Sequence, residues 1–199
     1  MPLSYRLRDT NRAVVEAWRQ HFASWPEVVV SEGDIFDEAA DALVSPANSF
    51  GFMDGGIDLA YSLRFGWSLQ DRLQAVLRAE HDGELPIGQA VIVETGDARY
   101  PLLVSAPTMR VPMDVSQTVN AFLAFRAVIR CVQDYNRTGR GPIESILSPG
   151  LATAVGGMHP QTCARQMAYA YRTSHLGKQT VPRDLMEACR NQFELVSEE

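Results

Sequence analysis

Lysine is almost absent from this chain, and nowhere does the sequence concentrate positive charge. Lys178 is the only lysine among 18 basic residues, against 24 acidic residues, and the formal net charge is -6. Proteins with a general affinity for nucleic-acid backbone need a basic face. The charge balance therefore argues against that class, although a small anion site built from backbone amides remains compatible with it.

Cysteine is scarce as well. The three cysteines, Cys131, Cys163 and Cys189, are odd in number and far apart, which argues against a disulfide framework and favours a reducing compartment. We expect Cys163 to be a small core residue. The sequence contains no Cys-x-x-Cys or His-Glu-x-x-His spacing, so it predicts no metal site, and its motifs require no cofactor.

Long apolar runs are also missing. No stretch approaches the ~18 apolar residues of a membrane span, and the first residues lack the apolar core of a signal peptide. With 199 residues, 46% of them hydrophobic, the chain can bury one sizeable core. We expect a soluble, cytoplasmic protein that forms one domain over residues 1–199 and makes no membrane contact.

What the sequence does contain is an alternation of short β-branched runs and amphipathic segments. Strands are predicted at residues 28–30, 42–45, 90–94, 102–106 and 143–147. Helices are predicted between them, at residues 56–65, 67–80, 116–135 and 159–172. This order predicts an α/β fold with helices on both faces of a sheet. The first 24 residues are expected to form an N-terminal helical extension capped at Asp9 and Thr10, and residues 178–199 to form a C-terminal helix.

The richest segment is residues 45–58, which read SPANSFGFMDGGID between a predicted strand and a predicted helix. Open α/β sheets bind ligands at the carboxyl ends of strands, and a helix start offers free N–H groups to a phosphate. Gly55 and Gly56 allow the backbone to approach a ligand closely. Asp58 would repel a phosphate, so beside Asn48 it suggests a sugar hydroxyl or a water as its target.

A second glycine-containing loop, residues 148–157, also follows a strand and precedes a helix. Neither loop has the spacing of a P-loop or of the Gly-x-Gly-x-x-Gly fingerprint. Two amide-lined loops can bind a dianion without lysine or arginine.

In combination, four segments resemble the macro domain, the module that binds ADP-ribose. Residues 33–35 (GDI) are similar to its Gly-Asp-Ile, and residues 44–48 (VSPAN) to its Val-Asn-Ala-Ala-Asn. Residues 55–58 (GGID) are similar to its Gly-Gly-Val-Asp, and residues 151–157 (LATAVGG) to its Ile-Ser-Thr-Gly-Ile-Tyr-Gly. The resemblance implies a three-layer α/β/α sandwich with a mixed central sheet, and it looks closer to the bacterial and phage branch of the family.

The resemblance also implies roles for particular residues. Asp34 and Ile35 would read the adenine, and Asn48 and Asp58 would act as catalytic residues at the distal ribose. Asp34 and Asp58 also have plainer interpretations, as a turn residue and as a helix-start residue. The two sides of the diphosphate would be held by the backbone of Gly55, Gly56 and Ile57 and by that of Thr153, Ala154, Val155, Gly156 and Gly157.

One departure from the family pattern concerns the wall of the pocket. Many members carry an aromatic residue where this chain has Gly156, and its absence is expected to open that end of the site. Phe52 or Met53 would supply the missing apolar wall, unless they belong to the core.

The implied function is binding of ADP-ribose and hydrolysis of an ADP-ribose conjugate, either an ADP-ribosylated acceptor or O-acyl-ADP-ribose. The alternatives are a reader that binds without turnover and an interaction protein with a degenerate pocket. The acceptor and the oligomeric state stay open.

Overall fold

The computed structural model describes residues 3–178 and 181–197, so the ends of both predicted terminal segments and residues 179–180 lie outside it. The six strands are β1 Ser4–Asp9, β2 Val28–Glu32, β3 Ala42–Ser45, β4 Val91–Glu94, β5 Leu102–Ser105 and β6 Ser145–Ser148. The six α-helices are α1 Arg12–His21, α2 Gly56–Phe65, α3 Ser68–Glu80, α4 Asn120–Arg137, α5 Pro160–Ala170 and α6 Leu185–Val196. A 3-10 turn, Ile35–Asp37, follows β2, and a π-helical turn, Tyr171–His175, prolongs α5. Across the described ranges, no helix has the length and apolarity needed to cross a bilayer.

The strands form one mixed sheet in the order β2-β1-β6-β3-β5-β4. All neighbouring pairs are parallel except β4 and β5, which run antiparallel. Apolar side chains of α1, α4 and α5 pack on one face of the sheet, and those of α2 and α3 pack on the other. The predicted α/β fold with a mixed central sheet between helical layers is confirmed.

The first strand is the main difference from the expectation. Instead of joining a helical extension, β1 enters the sheet between β2 and β6, with Tyr5 and Leu7 buried on one face. Their spacing of two is the period of a strand, which outweighs the helix-cap interpretation of Asp9. Asp9 ends the strand, and Asn11 caps α1 by accepting a hydrogen bond from the Ala13 amide at 3.0 Å.

The start of α4 differs too. Ser116 does not cap this helix; its amide donates to Asp114 Oδ1 at 2.8 Å, and the chain stays irregular until Asn120. The amide of Val115 donates to the Gly156 carbonyl at 2.9 Å. This irregular segment therefore lies against the second loop instead of prolonging the helix.

Strands β3 and β6 bring the two glycine-containing loops together. Every residue of both strands is buried, and they pair in parallel with Leu43 opposite Leu147. Parallel neighbours end at the same edge of the sheet, so the loops that follow Ser45 and Ser148 lie side by side.

Candidate functional site

A cleft opens at the carboxyl edge of the sheet, between these two loops. The first loop and the start of α2 line it with residues 46–48, 52 and 54–58, and the second loop does so with residues 149–150 and 152–156. Asp9, Thr108, Met109 and Pro112 complete the lining. The cleft lies where open α/β sheets place their ligands.

Most of the residues singled out in the sequence meet in this cleft, namely Asn48, Gly55, Gly56, Ile57, Asp58, Thr153, Ala154, Val155 and Gly156. Three others lie outside its lining. Asp34 caps the 3-10 turn by accepting a hydrogen bond from the Phe36 amide at 2.8 Å, and Ile35 is buried in the core. Gly157 lies at the far side of its loop, near Asp114. Contact of Asp34 and Ile35 with a base stays a prediction.

Asp58 is a buried carboxyl group at the edge of the cleft. Its side chain is only 6% exposed, and Ser45 Oγ donates to its Oδ1 at 2.6 Å. Burial raises the pKa of Asp58 to about 7, while the hydrogen bond from Ser45 works in the opposite direction. This carboxyl group therefore exchanges its proton near neutral pH, as a general base or acid must.

Two side-chain hydrogen bonds fix helix α2 at the end of β3. Tyr61 donates to the Val44 carbonyl at 3.0 Å, and Ser62 donates to the Met53 carbonyl at 2.8 Å. Gly55 is the N-cap and contributes no side chain. The first turn of α2, with amides that lack a partner inside the helix, consequently borders the cleft.

The second loop is closed on itself and tied to β1. The amide of Met158 donates to the Ala152 carbonyl at 3.0 Å, and the amide of Gly150 donates to Asp9 Oδ2 at 2.9 Å. A Cβ atom at Gly156 would lie 2.6 Å from the Ala152 carbonyl oxygen and 2.8 Å from Val115 Cγ2. Gly156 lines the cleft, but the direction that its side chain would take is occupied by these two neighbours, so a side chain would fit there only if they moved.

The side chain of Asn48 is committed to its own loop. Its Nδ2 donates to the Phe52 carbonyl at 2.7 Å. Its Oδ1 accepts from the amides of Phe50 at 3.1 Å and Phe52 at 3.3 Å. Because an amide oxygen has two lone pairs, Asn48 keeps only one N–H to offer a ligand.

Phe52 and Met53, the two candidates for an apolar wall, lie in different environments. Met53 is fully buried in the core beneath α2 and α3, whereas Phe52 is 52% exposed and lines the cleft. Phe52 is therefore the aromatic residue available to a ligand from this loop.

The cleft contains no basic side chain among its lining residues, which include the carboxyl groups of Asp9, Asp54 and Asp58. An anionic ligand would have to be held by backbone amides. Within residues 3–178 and 181–197, no cluster of histidine, cysteine and acidic residues is arranged to hold a metal ion.

Sequence reasoning missed Asp9 and Pro112 as lining residues. The alternation of Tyr5 and Leu7 is a strand signal, and it would have placed Asp9 at a strand end beside the other loops. Pro112 has no comparable signal, because its place depends on how the irregular segment before α4 folds back.

Comparison with known proteins assigns a family. The sequence model described as "Macro domain" matches residues 44–167, more than half of the chain. An uncharacterized protein of Aeropyrum pernix is 32% identical over 143 residues, which cover 72% of this chain and 69% of that protein.

Two further matches concern function and fold. A protein of Escherichia fergusonii named O-acetyl-ADP-ribose deacetylase is 28% identical, covering 80% of this chain and 86% of its own length. The macrodomain of Mycobacterium tuberculosis DarG superposes with a TM-score of 0.58 at 22% identity, covering 72% of this chain and 88% of that chain. The second match shows a common fold.

Proposed function

The chain belongs to the macro domain family, and we propose that it binds ADP-ribose in this cleft and hydrolyses an ADP-ribose conjugate there. One observation carries the proposal: a buried carboxyl group, Asp58, borders a cleft whose described lining offers backbone amides from two loops and no basic side chain. Such a cleft suits a diphosphate joined to sugars better than a free polyanion.

In the proposed complex the diphosphate lies between the two loops. Residues 55–57, at the start of α2, bind one side through their amides, where the positive end of the helix dipole favours an anion. Residues 153–156 bind the other side. The hydrogen bonds from the Met158 amide to the Ala152 carbonyl and from the Gly150 amide to Asp9 support this mode, because they fix the second loop beside β1.

In the proposed reaction Asp58 acts on the terminal ribose. As a carboxylate it accepts a proton from a water molecule, whose oxygen bonds to the anomeric carbon of an ADP-ribosylated acceptor or to the acyl carbon of an ester. The bond from that carbon to the acceptor or to the ribose oxygen breaks, and the leaving atom takes the proton from Asp58. The name of the Escherichia fergusonii relative supports an O-acyl ester as one substrate class.

Binding is tested by calorimetric titration of the purified protein with ADP-ribose, with AMP and ATP as controls. We expect binding that prefers ADP-ribose to both controls. The absence of binding at millimolar ADP-ribose would overturn the proposal at its first step.

Hydrolysis is tested with O-acetyl-ADP-ribose and with ADP-ribosylated protein. Asp58→Ala should reduce turnover by about 100-fold or more, since general-base catalysis contributes on that scale, while the affinity for ADP-ribose stays within a few-fold. Asp71→Ala removes an exposed carboxylate from α3, outside the lining of the cleft, and serves as the matched control.

A reader that binds without turnover is the second candidate, and one observation favours it. The Asn48 side chain is expected to act at the ribose. Most of its hydrogen-bonding groups are already bonded to its own loop. A wild-type protein that binds ADP-ribose and turns over neither substrate would select this candidate.

A further inference from the structure

We infer that Asp9 determines which adenine nucleotides the cleft accepts. Its carboxylate takes hydrogen bonds from the hydroxyl groups of the adenosine ribose, and it excludes ligands that carry a phosphate on that sugar. This inference rests on the proposed function, because it concerns the half of the same ligand that lies away from Asp58.

The order of the strands places Asp9 at the end of the cleft away from Asp58. Strand β6 lies between β1 and β3, and the proposed diphosphate site lies between the loops that follow β3 and β6. Asp58 belongs to α2, on the β3 side of that site, whereas Asp9 is the last residue of β1, on the other side. A ligand whose terminal ribose reaches Asp58 therefore extends its adenosine half towards Asp9.

A backbone hydrogen bond also connects Asp9 to the predicted base contacts. The Asp9 carbonyl accepts from the Gly33 amide at 3.0 Å, and Asp34 and Ile35 follow directly in the chain. Asp34 caps the 3-10 turn and lies outside the lining of the cleft, whereas Asp9 belongs to the lining. Of the three carboxyl groups in the described lining, only that of Asp9 comes from this side of β6.

The carboxylate of Asp9 is fixed in place and still has acceptor sites for a ligand. Its Oδ1 accepts from the Asn11 amide at 2.8 Å, and its Oδ2 accepts from the Gly150 amide at 2.9 Å. A carboxylate offers about four lone-pair sites, and these two amides occupy two of them. The remaining sites suit two hydroxyl donors on one sugar.

A ribose with free 2′ and 3′ hydroxyl groups is the part of the ligand that matches this acceptor. Each hydroxyl group can donate one hydrogen bond, and a carboxylate can only accept. A phosphate in place of one hydroxyl would remove a donor and bring negative charge against Asp9. The described lining contains no basic side chain that would offset this repulsion.

The test compares ADP-ribose with ADP-ribose 2′-phosphate, in which the adenosine ribose carries the added phosphate. Calorimetric titration of the wild-type protein should show an affinity for ADP-ribose that is higher by about 30-fold or more, because like charges oppose each other in the second complex. Asp9→Asn removes the charge at nearly constant size, so it should reduce this preference to about 3-fold or less. An unchanged preference in Asp9→Asn would overturn the inference.

The ratio of the two affinities separates a ligand contact from a structural role. Because Asp9 also holds Gly150, a loosened second loop would weaken both ligands by the same factor and leave their ratio unchanged. Asp9→Ser is the second variant, because its hydroxyl group can still accept from the Asn11 amide, and it should reduce the preference equally. Circular dichroism and thermal melting verify the fold of each variant.

Two other carboxylates provide matched controls. Asp34→Asn alters the neighbouring turn, and Asp54→Asn removes a charge from the lining on the β3 side of the cleft. Both variants should retain the wild-type preference, whatever their absolute affinities. A fall in either as large as that in Asp9→Asn would mean that the general charge of this region excludes the phosphate, and it would overturn the role of Asp9.

The outcomes also distinguish this inference from the proposed function. A wild-type protein that binds both ligands equally well would overturn selection by Asp9 and leave binding of ADP-ribose intact. A wild-type protein that binds neither ligand would overturn the proposed function and this inference together.

Discussion

At the scale of single residues, the environment of Asp58 matters more than its place in a motif. A carboxyl group at a helix start is ordinarily an exposed residue that satisfies free amides and stays ionised. Here the side chain is buried against Ser45, and its pKa rises to about 7. The stability of the fold should therefore depend on pH through this group.

The direction of that dependence follows from proton linkage. Because the pKa of Asp58 is raised in the folded state from 3.8 to about 7, the folded protein binds more protons than the unfolded chain between these values. The stabilisation of the fold by the protonated Asp58 carboxyl group is complete below about pH 4 and is lost as the pH rises through 7. The Asp58→Asn variant cannot acquire this charge. The free energy of unfolding of the variant minus that of wild type should therefore rise by about 2 kcal/mol between pH 5 and pH 8.

Urea denaturation at both pH values measures this difference. Asp54→Asn, which alters an exposed carboxylate of the same loop, is the control and should show the same difference from wild type at both. An Asp58→Asn curve that moves in parallel with wild type would contradict the burial of this charge.

Gly156 provides a second prediction at this scale. Gly156→Ala should destabilise the protein by about 1–3 kcal/mol, because its Cβ atom would collide with the Ala152 carbonyl oxygen, which is backbone and cannot swing away. Gly55→Ala is the matched control: nothing lies within 4 Å of its Cβ position, and its φ of −146° suits any residue. Thermal melting of both variants gives the comparison, and equal melting temperatures would refute it.

The sequence predicted which residues gather in the cleft better than it predicted what each one does. Placement follows from strand ends and glycines, which are local signals, so Gly55 and Thr153 could be assigned. The partners of Asn48 depend on the path of the loop after it, and the crowding at Gly156 depends on Val115, far away in the sequence. Neither the hydrogen bonds of Asn48 nor the crowding at Gly156 can be predicted from residue types alone.

At the scale of elements, the prediction succeeded where local and tertiary signals agree. Strand β3 and helix α2 have the predicted bounds, because an apolar run and an amphipathic stretch are separated by glycines. Strand β1 and the start of α4 differ from the prediction. The segment before α4 contains good capping residues, but its Val115 amide bonds to the Gly156 carbonyl of the second loop and its Ser116 amide bonds to Asp114, so the helix begins later.

Strand β1 also yields the prediction at this scale. Leu7 is 1% exposed in an interior strand of the sheet, so Leu7→Ala should cost about 2–5 kcal/mol of unfolding free energy. Leu185→Ala removes the same atoms from a side chain that is 77% exposed on α6, and it should change stability by less than about 0.5 kcal/mol. Chemical denaturation of both variants tests this, and a near-neutral Leu7→Ala would mean that β1 does not belong to the cooperative core.

At the scale of the whole molecule, charge determines how salt should act on binding. The chain carries a net charge of -6, and the described lining of the cleft holds three carboxyl groups and no basic side chain. An anionic ligand therefore meets net repulsion at long range, and salt screens that repulsion. The affinity for ADP-ribose should stay constant or rise slightly between 50 and 500 mM NaCl.

Titrations at the two salt concentrations measure this response. A site built on lysine and arginine would lose affinity over the same range, so a fall of 10-fold or more would contradict an amide-lined cleft.

The position of β1 also has a consequence for biosynthesis. This strand leaves the ribosome well before β6, with which it pairs, and Ser4 stands opposite Ser145. At about 5–20 residues per second, roughly ten seconds of translation separate the two partners. During that interval Tyr5 and Leu7 have no sheet on their β6 side, and the nascent chain has to remain soluble while this interior strand is unpaired on that side. Long-range pairing of this kind also slows refolding of the complete chain.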